Sequence, residues 1–154
     1  MSAGPGAGLP HTNETPGGRR IGEAFGRARV DGRAALIPYV VAGYPDADTS
    51  FAIACAAIDA GADLLEVGLP YSDPLADGAT LQRASQAAIA AGATFDGSLA
   101  LVARIAVARP GVPLVAMGYA NQLLGGGNGG DRATALVAAG AAGVIVADLT
   151  PDEG

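Results

Sequence analysis

Short apolar runs alternate with Ala-rich helical stretches along this chain, and that alternation limits the folds open to it. Residues 35–42 (ALIPYVVA), 63–67, 112–117 and 143–147 (GVIVA) read as strands. The first is apolar almost throughout, as a strand covered on both faces must be. Between them lie helical stretches. One runs to about Ala60, capped by Asp48, Thr49 or Ser50 and stopped at Gly61. Its burial face is Phe51, Ile53, Ala54 and Ile58. Residues 80–91 form the next, ended by Gly92. Residues 99–108 follow, capped by Asp96 or Ser98, with Leu101, Val102 and Ile105 at helical spacing. The last covers 132–139 and stops at Gly140. Strand–helix alternation of this kind predicts parallel strands joined by right-handed crossovers. An open doubly wound sheet and a (β/α)8 barrel both begin this way. The first strand–helix turn carries no GxGxxG, which counts against the dinucleotide-binding version.

The beginning of the chain reads differently. Residues 1–18 are rich in Gly, Pro, Ser and Thr and predict a disordered tail, with the folded unit over 19–154. Residues 19–30 (RRIGEAFGRARV) place Ile21, Phe25 and Ala28 at helical spacing, an amphipathic helix suited to plugging the bottom of a barrel.

Absences narrow the chemistry. The chain has no lysine, which excludes a Schiff-base aldolase, a lysine-held pyridoxal phosphate and a P-loop. Its one histidine, His11, lies in the tail, so a Ser-His-Asp triad has no base. One His and one Cys do not make a zinc site, so no metal is expected. Cys55 reads as a small core residue in its helix, since no His is near to activate it. A lone cysteine permits no internal disulfide, which fits a reducing cytoplasm. A net charge of −6 counts against a nucleic-acid partner. No apolar run reaches the length of a membrane span.

The remaining candidates are carboxylates, Tyr, Ser and Arg, and they cluster just after the four strands: Tyr44, Glu66, Asp73, Asp77, Tyr119, Asn121 and Asp148. Barrels keep their active sites at that end. The densest stretch is 65–78 (LEVGLPYSDPLADG). Glu66 sits inside the apolar run itself. A carboxylate there needs a partner or a proton, and desolvation raises its pKa toward the range of a general acid/base. The plainer alternative is an ion pair with an Arg on a covering helix. The Gly-rich patch GGGNGGD (125–131) lacks a following lysine and reads as a linker rather than a phosphate cradle.

With these residues in view, ALIPYVVAGYPD, AGADLLEVGLPYSDPLADG and LQRAS together resemble the tryptophan synthase α chain family, from about Arg20 to Glu153. The resemblance implies a (β/α)8 TIM-barrel fold, here a half barrel of about four parallel strands. It implies a lyase, classed with the carbon–oxygen lyases, that cleaves indole-3-glycerol phosphate to indole and glyceraldehyde 3-phosphate in tryptophan biosynthesis. Glu66 would then be the acid/base and Asp77 the acceptor for the indole N–H. Tyr39 and Tyr119 would line the indole pocket, with Asp148 beside the substrate. Pro70, Asp73 and Asn121 would meet the partner β chain in an α2β2 complex. The α chain needs no cofactor of its own; pyridoxal phosphate is expected on the β chain.

The sequence departs from the family at Ala79, where Pro is usual, and at GGGNGGD, where an apolar, aromatic stretch is usual. A full barrel needs about 250 residues, and the strand count here stops at four, before the later strands that hold the substrate phosphate. The isolated chain is therefore expected to aggregate, to dimerise or to be part of a longer polypeptide, and to have little lyase activity alone. Two alternatives stay open: an inert module that binds the β chain, and another phosphate-binding barrel isomerase.

Overall fold

A computed structural model describes residues 15–124 and 130–150. Four parallel strands, β1 (Tyr39–Val41), β2 (Leu65–Gly68), β3 (Leu114–Gly118) and β4 (Ala141–Val146), form one sheet in the order β1-β2-β3-β4. Every strand neighbours its sequence predecessor, and helices fill the connections. That is half of a (β/α)8 barrel. Register pairs Tyr39 with Glu66 and Glu66 with Val115, so these three side chains share one face.

The two faces of the sheet are covered unequally. On the outer face Val40, Leu65, Val67, Leu114 and Ala116 meet Ala54 and Ile58 of α2 (Ala47–Asp59). Leu101, Val102 and Ile105 of α4 (Phe95–Ala108) complete this layer with Leu136 of α6 (Gly130–Ala138). Burying each such Leu or Ile contributes about 2 kcal/mol. On the inner face α1 (Pro16–Val30) is the one helix among the described residues that lies across the bottom, where Ala24 and Ile21 pack on Leu64 and Val115. Gly17 approaches the Ala142 carbonyl so closely that a β-carbon would overlap it. The plug expected of this helix is therefore present. Ile37 and Ile145 on the inner face and Phe25 on α1 remain exposed, and β1 and β4 each pair with one strand among the described residues.

Several boundaries differ from expectation for local reasons. α1 begins at Pro16, inside the stretch expected to be a tail, because Thr15 accepts from the Gly18 amide and Pro suits the first turn. Residues 1–14, with His11, lie outside the described residues, as do 125–129 of the Gly-rich patch. The cap of α2 is Asp46, not Asp48, Thr49 or Ser50; it accepts from the Thr49 amide. The cap of α4 is Thr94, not Asp96 or Ser98. Ile53 is exposed rather than part of the α2 burial face, whereas Cys55 is buried. The segment after β3, where no helix is expected from the sequence, contains a short helix, α5 (Ala120–Leu124). Arg33 grips Asp63 with both guanidinium nitrogens at 2.6 and 2.8 Å while the Leu36 amide donates to the same carboxylate at 2.8 Å, joining the entries to β1 and β2. Among the described residues no single helix is long and apolar enough to cross a membrane.

Candidate active site

β2 turns Leu65 and Val67 outward and Glu66 inward. Glu66 borders an inner-face cavity of about 300 Å³, whose other lining includes Leu64, Val115 and Ile145. No ion pair to Glu66 exists among the described residues, so the alternative of an Arg partner is not what the fold provides. Burial pushes the Glu66 carboxyl up from its ordinary value. A carboxyl held this way keeps a proton closer to neutral pH than a solvated one.

Tyr39 feels the charge of both predicted catalytic carboxylates. Burial pushes its phenol up to about 12, and the negative fields of Asp77 and Glu66 add to that shift. The register places Tyr39 beside Glu66 on the neighbouring strand, and its ring leans over Gly68, where no side chain intervenes.

Asp77 belongs to the segment between β2 and α3 (Ala79–Ala90). The segment is docked onto the residues that follow β3. The Ala76 amide donates to the Tyr119 hydroxyl at 3.0 Å. Tyr71 stacks on Tyr119 with ring centroids 4.7 Å apart, and Asn121 donates to the Tyr71 hydroxyl. Gln122 donates to the Pro70 carbonyl at 2.8 Å and accepts from the Tyr119 amide. From the other side, Gln82 of α3 donates to the Asp77 carbonyl at 2.8 Å. Tyr119 is buried, and that burial raises its phenol while the Ala76 N–H opposes the rise.

Several of the residues predicted from sequence line one of two separate cavities. Glu66 faces the inner cavity. Asp73, Tyr119, Asn121 and Asp148 line a second cavity of about 410 Å³ with Tyr71 and Leu75. Asp148 accepts from the Ala120 amide at 2.7 Å, at the start of α5. Pro70 is half-buried, while Asp73 and Asn121 are exposed. Sequence reasoning missed Gln82, Gln122 and Gly68. The glutamines carry no charge or burial pattern that marks them, and the space above Gly68 is created only by a side chain from another strand. Among the described residues no three His, Cys, Asp or Glu side chains gather as metal ligands.

The profile of the family described as "Tryptophan synthase alpha chain" matches residues 25–154. The chain is 47% identical to the tryptophan synthase alpha chain of Roseiflexus castenholzii, over 87% of this chain and 51% of that protein. It is 47% identical to that of Acidiphilium cryptum, over 87% and 48%. Among solved structures, a chain of tryptophan synthase from M. tuberculosis in an aminoacrylate-bound form superposes with a TM-score of 0.80 at 43% identity, covering 87% of this chain and 54% of that one. The tryptophan synthase subunit alpha from Legionella pneumophila gives a TM-score of 0.81 at 34% identity, covering 87% and 51%. The chain thus spans about half the length of the curated relatives it matches.

Proposed function

The chain belongs to the tryptophan synthase α chain family, and from that premise we propose that it carries the proton-transfer half of a lyase site for indole-3-glycerol phosphate. The observation that carries this reading is Glu66: an inward-facing carboxyl on an apolar strand, without an ion pair among the described residues and raised by burial. Glu66 delivers a proton to the indole ring carbon that bears the glycerol side chain. Positive charge then develops at the ring nitrogen, and Asp77 accepts the hydrogen bond from that N–H and stabilises the charge. The carboxylate of Glu66 next takes the proton of the side-chain hydroxyl. The carbon–carbon bond breaks, its electron pair returns to the ring, and indole and glyceraldehyde 3-phosphate separate. Tyr39 and Tyr119 border the ring, and Asp148 lies beside the substrate.

The same reading assigns Pro70, Asp73 and Asn121 to contact with a β chain, on which the pyridoxal phosphate resides. The exposure of Asp73 and Asn121 supports it. The test is indole release from indole-3-glycerol phosphate by the chain joined to the C-terminal half of a relative. Glu66→Gln is expected to lower the rate by about 100-fold or more. A Glu66→Gln protein that releases indole as fast as its parent would falsify the assignment.

A further inference from the structure

The segment that carries Asp77 has few apolar anchors. Pro74 is buried, but Leu75 is 86% exposed and Ala76 is exposed. What grips the peptide units around Asp77 is polar, and it comes from two elements. On the N-terminal side, the Ala76 amide donates to the Tyr119 hydroxyl at 3.0 Å. On the C-terminal side, the Asp77 carbonyl accepts from the Gln82 side chain at 2.8 Å. The Asp77 amide closes a turn on the Pro74 carbonyl at 3.1 Å, and the Gln82 amide group also reaches Pro74, at 3.4 Å. Tyr119 is itself held: Tyr71 stacks on its ring and its own amide donates to Gln122.

We propose that Tyr119 and Gln82 are positioning residues for Asp77. Tyr119 reaches from the end of β3 and Gln82 from the first turns of α3, and together they fix the backbone on both sides of that residue. The Asp77 carboxylate is thereby held where its charge acts on Tyr39, the register partner of Glu66. This deepens the lyase reading and rests on it for its catalytic meaning, because a carboxylate that must meet one N–H needs a fixed backbone. The arrangement also gives Tyr119 work beyond bordering a ring. Its hydroxyl oxygen is an acceptor for the main chain, so a Phe at this position keeps the aromatic surface and loses the grip.

The experiment uses the 154-residue chain and two variants, Tyr119→Phe and Gln82→Ala, with no substrate. The first readout is amide hydrogen exchange by NMR. In Tyr119→Phe the Ala76 amide is expected to exchange roughly tenfold faster, the effect of losing one hydrogen bond of ordinary strength. The Leu69 amide, which donates to the Met117 carbonyl within the sheet at 2.8 Å, should keep its rate. The second readout is the shift of the Tyr39 ring signals as the carboxylates titrate. Asp77→Asn identifies the part of that shift due to Asp77. This part should fall by roughly half or more in both positioning variants, as expected for a charge that moves away in a screened medium. A merely structural role would not change it selectively.

An Ala76 rate within about twofold of the parent, a parallel rise at Leu69, or an intact Asp77 contribution to the Tyr39 titration would each overturn the proposal. Neither readout depends on turnover. If both behave as expected while the completed barrel releases no indole, the lyase reading fails and the positioning of Asp77 stands.

Discussion

The ring of Tyr39 on β1 occupies the space that a β-carbon on Gly68 of β2 would need. Register pairs Tyr39 with Glu66 and Val41 with Gly68, so the ring leans along the strand direction, across its neighbour's glycine. Gly68→Ala forces Tyr39 off this position. The expected cost is about 2 kcal/mol, typical of overpacking. Tyr39→Ala in the same chain should reduce that cost to below about 1 kcal/mol, because the two side chains then no longer collide. Urea unfolding of the two singles and the double checks this, and additive effects would refute it.

Glu66 governs a pH dependence with a definite sign. Its folded pKa lies above the ordinary 4.5 because burial penalises the charge. It therefore favours folding fully below the unfolded value, and that contribution is lost as pH rises through the folded one. Glu66→Gln is expected to be more stable than the parent at pH 7 and equal to it at pH 3. Unfolding curves at the two pH values decide, and a variant less stable at pH 7 contradicts the desolvated carboxyl.

Asp63 has the opposite sign. The Arg33 guanidinium, with help from the Leu36 amide, holds its carboxyl well below the usual carboxylate range. Its stabilising effect is present above the unfolded value of 3.8 and is lost as pH falls through the folded one. Arg33→Met should lower the thermal midpoint at pH 7 and shift acid unfolding to higher pH, while changing little at the lowest pH. An unchanged acid limb would show that the pair does not join β1 to β2 energetically.

Ile37, just before β1, and Ile145 on β4 lie exposed on the inner face. Such a face draws other apolar surface to it. The 154-residue chain is expected to bind a hydrophobic dye and to elute larger than a monomer, and Ile145→Glu should reduce both. A protease-resistant monomer without dye binding would contradict this.

The order of strands and long helices was legible from the sequence because it follows from periodicity, whereas the apolar run around Glu66 left open which face that side chain takes. Apolar runs bounded by Gly and Pro mark strands wherever they end, and a carboxylate inside such a run is conspicuous. Boundaries were less legible. β1 covers Tyr39–Val41 rather than 35–42, because pairing with β2, not composition, decides which residues of an apolar run are strand. The caps fell on Asp46 and Thr94 where several capping residues stand within a few positions of each other. α5 was invisible because it is only five residues long and its first amide is held by Asp148, 28 positions away, a partner that local propensity does not encode. The grip of Tyr119 on Ala76 joins residues 43 positions apart, and only the folded sheet brings them together.

The strand order β1-β2-β3-β4 also has a meaning in time. Each of β2, β3 and β4 pairs with the strand made just before it. A nascent chain with this order can dock each new strand and helix onto a sheet already begun, growing from its N-terminal end. The plug helix is made first and can shelter the inner face while the sheet assembles against it.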